Sequence, residues 1–140
     1  MILETISTKI LWLTPFLNSI PYYLFAKPNN IIQNIVRYLI PVLAITTILF
    51  WWNPIQNSWI HYIDKGIVVI FATLSIGYVL SCKNMHRILW FFYGIVLSLG
   101  TYFVCLSKYY SSINWCSPEH LWNHLGFQLC AHMNIWFVFL

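Results

Sequence analysis

Formal charge is missing from this chain over lengths that match a lipid bilayer. Residues 38–63, 66–82, 88–107 and 120–140 hold no Asp, Glu, Lys or Arg. A helix needs about 20 predominantly apolar residues to cross a hydrocarbon core of about 30 Å. Four such runs leave little of a 140-residue chain for anything else. Only 7% of the residues are charged and 60% are hydrophobic, whereas about a quarter of a soluble domain is charged. So few charges would not solvate the surface of a water-soluble globule.

The expected fold is therefore all-α, an integral membrane helical bundle forming one domain over residues 1–140. Spanning helices are expected at about 31–52, 58–82, 88–106 and 118–140, behind a proline-broken N-terminal segment over 1–30. Eight Trp and nine Tyr fit the two membrane–water interfaces, and Trp51-Trp52 ends the first span as an anchor. The net charge of +4 contains no basic run, which argues against nucleic acid as a partner. The expected partners are the lipid bilayer and other membrane protein subunits.

Residues 10–26 are apolar but hold Pro15, Asn18, Ser19 and Pro21, and are followed by Lys27-Pro28. Two prolines in so short a run interrupt a helix. Two readings stand, short interfacial or re-entrant helices and one kinked span. In the first, Lys9, Lys27, Arg37, Lys83 and Arg87 share a side, facing Lys65 and Lys108. The excess of basic residues then puts both termini and the 83–87 turn on the cytoplasmic or matrix side. No cleavable signal peptide is read at the N-terminus.

Local signals mark the helix ends. Asn57 or Ser58 is a plausible N-cap for the second span. Ser117-Pro118-Glu119 opens the fourth with a cap, a proline at the first helical position and an acid in the first turn. Gly94, Ser98 and Thr101 make a small-residue stripe on the third span, where a neighbouring backbone can approach. Residues 107–116 read as a polar, tyrosine-rich loop. Cys82, Cys105, Cys116 and Cys130 have no metal-binding spacing. Cys105 and Cys116 flank that loop and would bridge only in an oxidising compartment; unpaired thiols are the favoured reading.

The chemistry-bearing residues converge through topology. The second and fourth spans enter the membrane from the same side, so His61, Asp64, His120 and His124 lie within about two turns of one face. His86 falls on the opposite side. Along the fourth span His120, His124, Gln128 and His132 recur every fourth residue and wind slowly around one polar stripe. Such a stripe has to face protein or water, because lipid leaves its hydrogen bonds unmade. Three readings remain: interhelical hydrogen-bonding, a metal site and a proton or ion path. For the metal, His61, His120 and His124 are the candidate ligands, zinc is the candidate cofactor, and Asp64 is the candidate catalytic residue that positions or activates water. No phosphate-binding loop, dinucleotide turn or nucleophile elbow is present.

His120-Leu-Trp-Asn-His124 on the last helix resembles the HxxxH on the last helix of the CREST superfamily, which covers alkaline ceramidases, progestin/adiponectin-type receptors and related membrane hydrolases. The resemblance implies a zinc ion held by three histidines. It also implies Ser58, His61 and Asp64 as counterparts of that group's Ser and His on one helix and Asp at the start of the next. This chain departs from the pattern in helix number, four or five against seven. Ser58 and His61 are three apart rather than four, and His61 and Asp64 share a segment. The expected function is a structural or accessory role in a membrane assembly, with a zinc-dependent membrane hydrolase of lipid-like substrates as the alternative.

Overall fold

The computed structural model describes residues 8–11, 13–15, 23–24 and 26–140. Four long helices follow in order, α1 (Ile31–Trp52), α2 (Trp59–Cys82), α3 (Arg87–Ile113) and α4 (Pro118–Phe139), and no strand occurs among the described residues. The links at 53–58, 83–86 and 114–117 are short, so successive helices run antiparallel. α1, α2 and α3 are long and apolar enough to cross a membrane. α4 has 22 residues, about 33 Å at 1.5 Å per residue, but its His, Asn and Gln keep it out of that apolar set.

Each helix begins on a polar cap. Asn30 accepts the Gln33 N–H, Ser58 the His61 N–H, His86 the Ile88 N–H and Ser117 the His120 N–H. α1 runs unbroken through Pro41. α3 extends to Ile113, well beyond the expected end near residue 106. The serines that suggested a loop turn their hydroxyls back onto helical carbonyls, Ser111 onto Lys108 O (2.8 Å) and Ser112 onto Tyr109 O (2.7 Å). A hydroxyl satisfied within its own helix does not break it.

α1 packs along α2 and α3 along α4, and the two hairpins meet mainly through α2 and α4. The α3–α4 seam is the closest. A Cβ on Gly126 would lie 2.8 Å from the Phe103 ring, and one on Gly100 would lie 3.3 Å from Cys130 Cβ. In lipid, where tails are as apolar as leucine, such close approach supplies the association energy. The Gly94 stripe takes no part in it. A Cβ on Gly94 would meet nothing within 4 Å, and Gly94, Ser98 and Thr101 are all exposed.

One end of the bundle is tied by amides. Gln33 Nε2 donates to Val138 O (2.7 Å), its Oε1 accepts from Asn29 N (2.6 Å), and Asn30 Nδ2 donates to Tyr78 Oη (2.7 Å). These contacts set the end of α4 level with the start of α1. Beside them the Lys83 ammonium sits 5.8 Å from the Tyr78 ring centroid, and burial lowers its pKa from the ordinary lysine value.

The reading of residues 10–26 as interfacial pieces or a kinked span falls largely outside the described residues. Two contacts nevertheless fix the depth of its ends. Leu11 is buried with Phe50, Trp51 and Leu121, at the far end of α1. Tyr23 O accepts from Arg37 Nε (2.9 Å), near the start of α1. The two ends lie at different depths along α1, and residues 16–22 between them fall outside the described residues. Lys9 then joins Lys65 and Lys108 against Lys27, Arg37, Lys83 and Arg87. Three against four is too small a bias to orient the termini.

Candidate functional site

At the end of the bundle opposite Gln33, the starts of α2 and α4 are built alike. Asn57 and Cys116 both have positive φ (60° and 61°), each precedes a serine N-cap, and each cap is followed three residues later by a histidine. Ser58 Oγ accepts the His61 N–H and Ser117 Oγ the His120 N–H, both at 3.3 Å. In return, His61 Nδ1 accepts the Asn57 N–H (3.0 Å) and His120 Nδ1 accepts the Cys116 N–H (3.2 Å). This resembles a reciprocal capping box, with an imidazole in the place usually held by Glu or Gln and its return bond made to the residue before the cap. One orphan helix donor and the N–H of the residue before the cap are satisfied at each helix start.

Between the two boxes sits Trp115. Its ring centroid is 5.2 Å from His61, 4.7 Å from His120, 6.1 Å from Phe50 and 6.4 Å from Trp51. Its Nε1–H donates to Pro54 O (3.0 Å), which ties the 114–117 link to the 53–58 link. His61 lies flat on Phe50, with centroids 4.5 Å apart and planes 6° apart. His124 packs on Trp51 at 4.7 Å, and its Nδ1 is 3.3 Å from Ser107 Oγ on α3. Asp64 is buried and accepts a hydrogen bond from Thr47 Oγ1 on α1 (2.9 Å).

Below this aromatic layer α2, α3, α4 and the second half of α1 enclose a cavity of about 560 Å³. Its polar lining includes His61, Asp64, His120, His124, Gln128 and His132. All four residues placed near one face from the sequence do line one space. They are not gathered as metal ligands: among the described residues, no three of His, Cys, Asp and Glu lie where they could hold a metal ion. The reason is visible in the two boxes. A metal-bound histidine ordinarily donates its second ring N–H to an acceptor. Here the second nitrogen of His61 and of His120 receives a backbone N–H, so the neutral ring carries its proton on Nε2, where a metal would bind. Trp115 occupies the space between them. Ser58 is committed as a cap, and none of the four cysteines, Cys105 and Cys116 included, is in a disulfide.

Sequence reasoning missed Trp115, Thr47 and Ser107, which hold these groups in place. The repeated Ser-x-x-His at two helix starts was a signal for the boxes. Nothing in the sequence pointed to Trp115 as the wedge. No family model, curated protein or solved structure matches the chain.

Proposed function

We propose that the chain is a multi-pass membrane protein of four helical spans with a structural or accessory role, packing in a larger membrane assembly through α3. The carrying observation is the outward face of α3. Only 17% of its apolar window is buried within the chain, against 44% for α1. On that face Gly94, Ser98 and Thr101 leave a shallow strip, and Ser98 and Thr101 spend their hydroxyls on Gly94 O and Leu97 O (both 2.8 Å). A strip of small residues with internally satisfied hydroxyls suits the backbone of a neighbouring spanning helix. α4 acts as the fourth span, lying along α3 with its polar stripe turned inward, where His124 meets Ser107.

The test is Gly94→Leu followed by native electrophoresis of membrane extracts. Loss of the larger complex with the helical content unchanged is the expected result; an unchanged complex contradicts the assembly role. The zinc-dependent hydrolase is the second reading, favoured by His61, Asp64, His120 and His124 lining one cavity. It requires the two capping rings to release their backbone partners and turn. Stoichiometric zinc in the purified protein, lost on His120→Ala/His124→Ala, would establish it over the accessory role.

A further inference from the structure

The cavity combines features that a structural role does not use. Lys65 on α2 and Lys108 on α3 are exposed at its mouth, at the same end as the capping boxes. Among the described residues Asp64 is the only acid in its lining, and it is already engaged by Thr47. Trp51, 1% exposed, lines the space too, and its Nε1–H has no hydrogen-bond partner. The mouth therefore offers two ammonium groups against one acid. Below it the walls are apolar, with Val68, Val69, Ala72 and Ile76 on α2 facing Val96, Leu97 and Val104 on α3. Val69 and Val104 line the cavity and stay 63% and 40% exposed, so the space opens along the α2–α3 seam at membrane depth.

The dimensions select the occupant. From Lys65 to Ile76 along α2, and from Lys108 to Val96 along α3, the drop is about 16–18 Å at 1.5 Å per residue. That is roughly one leaflet of a hydrocarbon core about 30 Å thick. We propose that this cavity holds an anionic phospholipid of the adjacent leaflet, with its phosphate between Lys65 and Lys108 and one acyl chain between α2 and α3. The volume falls within the range of ligand sites, about 300–1,000 Å³. On the α4 wall, Gln128 Oε1 and Asn134 Oδ1 are buried acceptors without a protein donor. Water entering beside the chain supplies their donors.

Native mass spectrometry of the detergent-purified protein, titrated with phosphatidylglycerol or with phosphatidylcholine of the same chains, tests this. One phosphatidylglycerol should bind, in preference to phosphatidylcholine. Lys65→Gln/Lys108→Gln should weaken phosphatidylglycerol about 30-fold, the size expected for two lysines near a membrane surface, and leave phosphatidylcholine unchanged. Lys65→Arg/Lys108→Arg should restore the preference. Ala72→Phe, which fills the acyl wall, should weaken both lipids. Equal binding of the two lipids to the wild type, or an unaffected double glutamine variant, overturns the proposal. So does displacement of the lipid by equimolar inorganic phosphate, or one-to-one binding of free oleate in its place.

Discussion

The two ends of this bundle are both polar, yet they are polar in different ways. At the Gln33 end amides tie the helices together: Gln33 bonds Asn29 and Val138, and Asn30 bonds Tyr78. At the His61 end the two capping boxes satisfy backbone N–H groups. Trp51 Nε1 at this end has no protein partner, and neither have Gln128 Oε1 midway along α4 or, toward the Gln33 end, Asn134 Oδ1 and Tyr93 Oη. A buried polar group left unpaired costs about 1–3 kcal/mol. The Gln33 end is a clasp of amides that cross between helices. The His61 end is a frame of capped helix starts around an aromatic wedge.

That contrast can be broken first at Trp115. Trp115→Ala removes the wedge that touches four rings and the bond to Pro54, and should cost about 3 kcal/mol or more, seen as a lower thermal midpoint in detergent. Gln33→Leu should cost about 2 kcal/mol, because it strands Val138 O and the Asn29 N–H together. It should also expose the end of α4 to amide exchange while the His61 end stays protected; fraying at both ends alike would show that the ends are not independent. Smaller still, Ser58→Ala and Ser117→Ala should each cost about 1 kcal/mol. If the boxes act as a pair through Trp115, the double variant will depart from additivity by more than about 0.5 kcal/mol. Least of all, Gly94→Leu should leave the thermal midpoint of the isolated chain unchanged, since a side chain there meets open space.

The class of fold and the shared face of His61, Asp64, His120 and His124 were legible because both follow from long-period signals. Uncharged runs define spans, and the parity of crossings decides which residues share a side. What escaped depended on short-range geometry. The end of α3 was hidden because serines can satisfy themselves within a helix, as Ser111 and Ser112 do. The close seam was looked for at Gly94 but lies at Gly126, since a glycine's role depends on which face its helix turns inward. The orientation drawn from basic residues hinges on a single position, Lys9, whose side depends on the depth of Leu11.

The metal reading illustrates the same limit at the level of one atom. HxxxH states that two imidazoles share a helix face. It says nothing of which ring nitrogen is already taken. Only the backbone at Asn57 and Cys116, held at positive φ, brings an N–H against Nδ1 and so assigns the tautomer. Nitrogen-15 NMR of histidine-labelled protein in lipid nanodiscs reads that assignment directly. At neutral pH the rings of His61 and His120 should each carry the proton on Nε2, with a bare Nδ1, and should be unmoved by added zinc. Rings protonated on Nδ1, with Nε2 resonances that shift on binding one zinc, would contradict the account.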